Sequence, residues 1–243
     1  MTTAERLAEL ATNLAAVRGR IADACAAAGR DPAEVQLIAV TKTFPVPDIM
    51  LLSRLGVVDV GENKDQEAAP KVAACAAAGL ELRWHFVGQL QVNKAASVAT
   101  YAHMVHSVDR ARLVAALGRR ASEAGRMIRC LAQVNLDPEV GHGEGPAGRG
   151  GAAPGELLDL AGQIAAHDGL ELAGVMAIAP LGQPPRPAYA RLREIAERVR
   201  SSYPAARVIS AGMTGDLEDA IAEGATHVRI GTALLGGRRP FVR

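Results

Sequence analysis

Lys42 closes an apolar, β-branched run, Val35-Gln36-Leu37-Ile38-Ala39-Val40-Thr41-Lys42, and a Thr-Phe-Pro-Val-Pro loop follows at once. An ammonium at the mouth of a buried strand is costly. Desolvation there frees an amine lone pair for Schiff-base chemistry. Alone, such a residue reads as a strand-end lysine that snorkels to water. Two other strand ends change that reading. Gly212-Met213-Thr214 and Arg229-Ile230-Gly231-Thr232 each turn from a β-branched run towards a helix. Glycines let backbone N–H groups approach an anion, and hydroxyls add donors. Together the two ends read as a phosphate cradle. A reactive amine facing such a cradle fits pyridoxal 5′-phosphate, whose aldehyde needs an amine and whose phosphate needs donors. A carbonyl substrate attacked by Lys42, as in a class I aldolase, is the competing use of the same amine.

These residues need a scaffold that brings distant strand ends together. Strand-like runs fall near 35–41, 57–61, 83–88, 103–107, 128–135, 171–178, 207–211 and 226–230. Helical stretches fall near 46–54, 63–78, 91–100, 109–124, 154–167, 187–202 and 214–223. A further helix is predicted over 3–29, with Leu7, Leu10, Leu14, Val17 and Ile21 on one stripe, a Thr2/Glu5 capping box and Gly29 as its stop. Alternating strands and helices imply a parallel sheet. Eight such units in about 250 residues have the size of a closed (β/α)8 TIM barrel, whose working residues sit at the C-terminal strand ends. A doubly wound open sheet is the runner-up, but no phosphate fingerprint follows the first strand. No Pro/Ser-rich linker divides the chain, so residues 1–243 read as a single domain.

The bulk properties exclude several classes. The 243 residues are 49% hydrophobic with a net charge of +1. That balance argues against nucleic acid as a partner. No apolar run approaches the roughly 20 residues of a membrane span, and the first residues lack the apolar stretch of a signal peptide. The expectation is a cytoplasmic protein and a monomer. Cys25, Cys75 and Cys130 form no C-x-x-C pair and read as reduced, buried thiols. His103 and His106 read as packing and polar contacts rather than metal ligands. The glycine-rich segment 137–155 contains Gly143-x-Gly145-x-x-Gly148, but Pro146 interrupts it and it lies away from the preceding strand. It reads as a flexible loop after the fifth strand, placed to act as a lid.

Longer motifs carry a resemblance. Thr41-Lys42-Thr43, Gly61-Glu62-Asn63, Trp84-His85-Phe86-Val87-Gly88-Gln89-Leu90-Gln91-x-Asn93-Lys94, Gly174-Val175-Met176-Ala177-Ile178, Gly212-Met213-Thr214-x-Asp216 and Val228-Arg229-Ile230-Gly231-Thr232-Ala233 resemble the YggS/PROSC family of pyridoxal phosphate homeostasis proteins. The resemblance spans residues 5 to 236. It implies a barrel like the N-terminal domain of alanine racemase and an internal aldimine on Lys42. It also implies phosphate contacts from Gly212–Thr214 and Arg229–Thr232. The expected cofactor-binding set is Lys42, Asn63, Met176, Ser210, Gly212, Met213, Thr214, Arg229, Gly231 and Thr232. The chain departs from the family in having Phe44 where a lysine is frequent, Lys64 where an aromatic is common, and Arg149 as the nearest match to a lysine after strand five. Arg cannot replace Lys as an amine nucleophile.

The resemblance implies a carrier that buffers or delivers the cofactor, with pyridoxal phosphate-dependent apoenzymes as candidate recipients. The alternative is an amino-acid racemase-like enzyme. Racemisation needs an acid/base group on each face of the substrate. Tyr101, Tyr189 and Tyr203 read as helix or helix-flank residues, and no second domain is read in the chain. Strong carbanion chemistry also needs a carboxylate at the pyridine nitrogen. Glu62 and Asp216 are the only carboxylates at suitable strand ends, Asp216 reads better as a helix-start residue, and Ser210 or Arg229 is the expected neighbour of that nitrogen. No catalytic residue is assigned.

Overall fold

The computed structural model describes residues 1–137 and 150–237. Eight parallel strands close into a barrel in sequential order. They are β1 (Gln36–Val40), β2 (Asp59–Glu62), β3 (Arg83–Phe86), β4 (Met104–Val108), β5 (Ile128–Gln133), β6 (Leu170–Met176), β7 (Val208–Ser210) and β8 (His227–Ile230). The ladder closes with β1 beside β8, Gln36 to Ala39 pairing with His227 to Ile230. The register shifts between β4 and β5 and again between β5 and β6. The expected (β/α)8 barrel is therefore the fold, and the open sheet is excluded.

The helices are α1 (Thr3–Ala27), α2 (Val46–Arg54), α3 (Asp65–Ala77), α4 (Ala95–Tyr101), α5 (Ala111–Glu123), α6 (Leu157–Ala165), α7 (Pro185–Ser202), α8 (Leu217–Ala222) and α9 (Thr232–Leu235). Local sequence explains their ends. Thr2 and Glu5 form the expected capping box of α1. Gly29, at φ 64°, ends it. The Arg30 N–H reaches the Cys25 carbonyl at 2.9 Å and the Gly29 N–H the Ala26 carbonyl at 3.2 Å, a Schellman closure that only a left-handed residue allows cheaply. The predicted helix over 91–100 is split, with a 3-10 turn at Val92–Lys94 ahead of α4.

The stripe of α1 buries Leu10, Leu14, Val17 and Ile21 against residues of β1, β8, α2, α8 and α9. Each such side chain contributes about 1.5–3 kcal/mol relative to exposure. The packing has a reason: α9 is only four residues long and cannot cover the β8–β1 seam. Helix α1 covers it instead. Its polar residues Arg6, Asn13 and Arg20 then reach the backbone that carries the site. Arg6 is buried between Asp48 and the Leu235 carbonyl at 3.0 Å. Asn13 donates to the Leu234 carbonyl at 3.0 Å, and Arg20 to the Thr214 carbonyl at 2.9 Å.

Candidate functional site

Side chains alternate along a strand, so Gln36, Ile38 and Val40 of β1 share the inward face with Lys42. Lys42 lies two residues beyond β1, in a turn rather than in the strand itself, and is half-buried. The Phe44 N–H donates to the Thr41 carbonyl at 3.0 Å and closes that turn. Thr43, at φ 67°, is the one non-glycine residue with positive φ among the described residues. A β-branched residue there stores strain of order 1–3 kcal/mol, which neighbours must hold. They do so from behind the barrel wall. Glu67 accepts the Thr43 N–H at 2.9 Å. Buried Lys71 donates to the Thr41 carbonyl at 2.9 Å and to Glu62 at 2.8 Å, and Glu62 accepts the Thr41 hydroxyl at 2.7 Å. Burial pushes the Glu62 carboxyl upward, against the hydrogen bonds from Lys71 and Thr41.

On the opposite wall, the turn after β7 and the start of α9 are joined. The Ala233 N–H donates to the Thr214 hydroxyl at 3.3 Å, and the Arg229 N–H to the Gly212 carbonyl at 2.9 Å. Asp216 is the residue preceding α8, but its side chain does not cap that helix. It accepts the Met213 N–H at 2.5 Å and the Tyr189 hydroxyl at 2.7 Å, stapling the turn from outside. That staple is why α8 begins at Leu217 rather than near 214.

Between the two walls lies a cavity of about 450 Å³ at the C-terminal mouth, within the size range of small-molecule sites. Lys42, Asn63, Met176, Met213, Thr214, Arg229, Gly231 and Thr232 all line it. Ser210 and Gly212 do not. Ser210 is wholly buried beneath Arg229, whose Nη1 donates to its hydroxyl at 2.6 Å. Gly212, at φ 90°, serves the turn: a Cβ there would stand 2.7 Å from the Ala220 side chain. Val40, Val87, Gly88, Gln89, Gln133, Gly150, Ile178 and Gly215 complete the wall. A Cβ on Gly88 would fall 2.2 Å from the Asn63 carbonyl, so the β2 and β3 ends can meet only with glycine there. The Gln133 amide donates to the Gly150 carbonyl, bringing the far end of the glycine-rich segment to the mouth. Arg149 and the Gly143–Gly148 pattern lie outside the described residues.

The donor set is one-sided. Lys42 and Arg229 are the only ionisable side chains among the described residues lining the cavity, and no tyrosine is among them. Tyr101 bonds Asp65 and Tyr189 bonds Asp216, both away from it. Arg229 is buried, with Nη2 donating to the Ala177 carbonyl at 3.0 Å. Burial pulls its affinity for the proton down, and the fields of Tyr189 and Asp216 oppose that. An amine, hydroxyls at two joined turns and a donor-only guanidinium suit a phosphorylated aldehyde with a heterocyclic nitrogen.

His106, read from the sequence as a polar contact, belongs to a buried polar chain below the cavity whose other members the sequence did not join to it. His106 Nδ1 lies 2.8 Å from the Ser210 hydroxyl, His106 Nε2 2.9 Å from His85 Nδ1, and His85 Nε2 2.9 Å from Asp59. Its signal was available as polar residues at inward positions of otherwise apolar strands.

The chain matches the family described as alanine racemase, N-terminal domain, over residues 9–239. The pyridoxal phosphate homeostasis protein of Mycobacterium tuberculosis is 44% identical over 252 residues, covering 97% of this chain and 95% of that protein. The protein of that name from Escherichia coli is 35% identical over 238 residues, covering 95% and 97%. Among solved structures, PipY of Synechococcus elongatus with pyridoxal phosphate bound is similar at a TM-score of 0.80 and 33% identity, covering 93% of this chain and 100% of that chain. Alanine racemase of Streptomyces coelicolor, at 20% identity and a TM-score of 0.68, shares the fold over 94% of this chain and 58% of its own. By sequence and by fold, the chain belongs to the family of pyridoxal phosphate homeostasis proteins, built on the alanine racemase N-terminal barrel.

Proposed function

We propose that this chain binds pyridoxal 5′-phosphate, holds it through Lys42, and buffers or delivers it without turning over a substrate. The observation that carries this reading is the cavity's charge: two cations and no acid among its described lining. When bound, the cofactor supplies an aldehyde for an amine and a ring that withdraws electrons. Lys42 presents its amine from a clamped turn. Thr214 and Thr232 offer hydroxyls to the phosphate, with Gly231 leaving the backbone accessible. Asn63 and Met176 flank the ring. The choice of cofactor is supported by relatives that are pyridoxal phosphate homeostasis proteins and by PipY with pyridoxal phosphate bound. Arg229 can donate to a ring-nitrogen lone pair but cannot accept from a protonated one. Without a carboxylate there, the ring is a weak electron sink, which suits storage over carbanion chemistry. Racemisation would also need a proton donor on each ring face, and the described lining offers Lys42 alone beside the cation of Arg229.

Delivery to apoenzymes, a monomeric state and a cytoplasmic location belong to this proposal. No helix among the described residues is long and apolar enough to cross a membrane. The test combines an absorption spectrum with borohydride reduction and amino-acid assays. The expected result is an imine band and a pyridoxyl adduct on Lys42, with no turnover above free cofactor. An adduct elsewhere, or racemisation above that background, would overturn the reading.

A further inference from the structure

Five side chains run through the barrel interior from one mouth to the other. Arg229, at the C-terminal cavity, can only donate hydrogen bonds. Asp59, at the N-terminal mouth, can only accept them. Its carboxylate accepts from Gln36 at 2.6 Å, Arg83 Nε at 2.7 Å and His85 Nε2 at 2.9 Å. Ser210, His106 and His85 stand between, and each can both donate and accept. None of the five is more than 5% exposed.

The two ends leave one proton arrangement for neutral rings. His85 donates from Nε2 to Asp59, so its Nδ1 accepts. His106 then donates from Nε2, so its Nδ1 accepts the Ser210 O–H. The Ser210 lone pair is thereby left facing Arg229. Tautomers are assigned from the network they satisfy, and here the network fixes both. Burial holds both rings below the ordinary histidine range, so they are neutral near pH 7.

We propose that Asp59 is a positioning residue for Arg229, acting across the barrel through His85, His106 and Ser210. A carboxylate touching Arg229 would orient it equally well but would neutralise the charge the cavity presents. Placed three groups away, the carboxylate sets the polarity of every hydrogen bond while the cavity stays free of acid. The consequence for cofactor binding rests on the reading of Arg229 given above; the proton arrangement does not.

The test uses cofactor-free protein labelled with 15N-histidine. At pH 7 the expected spectrum shows His85 and His106 as Nε2–H tautomers, and an Nδ1–H or doubly protonated ring at either position overturns the proposal without any variant. Asp59→Asn places an NH2 among donors. His106 is expected to move to Nδ1–H or a mixture, and pyridoxal phosphate affinity to fall by about tenfold, the equivalent of one hydrogen bond. Arg83→Gln keeps the carboxylate and is expected to keep the tautomers, with affinity within about twofold. Wild-type tautomers in Asp59→Asn, or equal losses of affinity in the two variants, would sink the idea. If wild type forms no adduct on Lys42, the proposed function fails while the tautomer result stands.

Discussion

The two mouths of the barrel are both polar, yet they treat charge in opposite ways. At the C-terminal mouth, Lys42 and Arg229 face a cavity of about 450 Å³ with no carboxylate among the described lining residues. At the N-terminal mouth, a smaller pocket of about 260 Å³ holds Asp59, Arg83, Arg129 and three histidines. Its cations are matched: Arg83 pairs with Asp59 at 2.5 Å and Arg129 with Glu171 at 3.2 Å. Charge is compensated where the barrel has only itself to hold. It is left open where an anion is to be received, since a resident acid there would compete with the ligand's phosphate.

The largest effect that can break this comparison is at the amine. Lys42→Ala is expected to abolish the borohydride-trapped adduct while leaving the unfolding free energy from urea titration within about 0.5 kcal/mol, because a half-exposed side chain holds little of the fold. A trapped adduct on another lysine would move the open mouth elsewhere.

Acid should strike the other mouth. Burial keeps His85, His106 and His227 below the ordinary histidine range, His227 pushed down to about 3. The unfolded chain therefore takes up protons first. Stability from these rings is complete above about pH 6.5 and declines as pH falls towards their folded values. Asp59 adds a second stage. Burial raises its carboxyl, but hydrogen bonds from His85 and Arg83 outweigh that and hold it at about 2. Its share, about 2 kcal/mol, is present above the ordinary value near 3.8 and is lost as pH falls through about 2. Urea midpoints across pH 7 to 4 should fall in wild type and fall less in His227→Gln; parallel curves would remove His227 from the account.

Thr232→Ala is a smaller test of the open mouth. Loss of one charge-assisted donor should weaken cofactor retention by about 1.5–3 kcal/mol, read by titration. An unchanged affinity would take Thr232 out of the cradle. Arg129→Ala sets the floor. An exposed pair is worth about 0–1 kcal/mol, and no change in cofactor affinity is expected. A measurable loss of affinity would mean that Arg129, and not Asp59 alone, acts on the open mouth.

Much of the architecture was legible because each strand and helix announces its own period. The run at 46–54 is α2 to the residue, and all eight strand-like runs overlap the observed strands. The rim positions followed from counting strand ends, which is why eight of the ten expected residues surround one cavity. What stayed hidden depends on side-chain reach across the fold. Ser210, expected in the cofactor-binding set, lies one layer below the cavity lining, because β7 ends at Ser210 and the turn carries Met213 and Thr214 to the rim. The spacing of seven that joins Arg6, Asn13 and Arg20 was present beside the apolar stripe. Nothing local, though, says that those side chains meet the carbonyls of α9 and the β7 turn.

The polar thread also bears on how the barrel closes. Its members come from β2, β3, β4, β7 and β8, one from each. A slip of one residue in any of these strands would turn its member outward and strand a donor or acceptor in apolar surroundings. The thread thus checks five alignments at once, and a mispaired sheet fails it wherever the error lies. The described register shifts fall on the β4–β5 and β5–β6 ladders, the first between Val105 and Val108, the stretch of β4 that carries His106. The irregular pairing of β4 thus sits at a thread member, and the ring contacts of His106 at 2.9 and 2.8 Å hold it inward there.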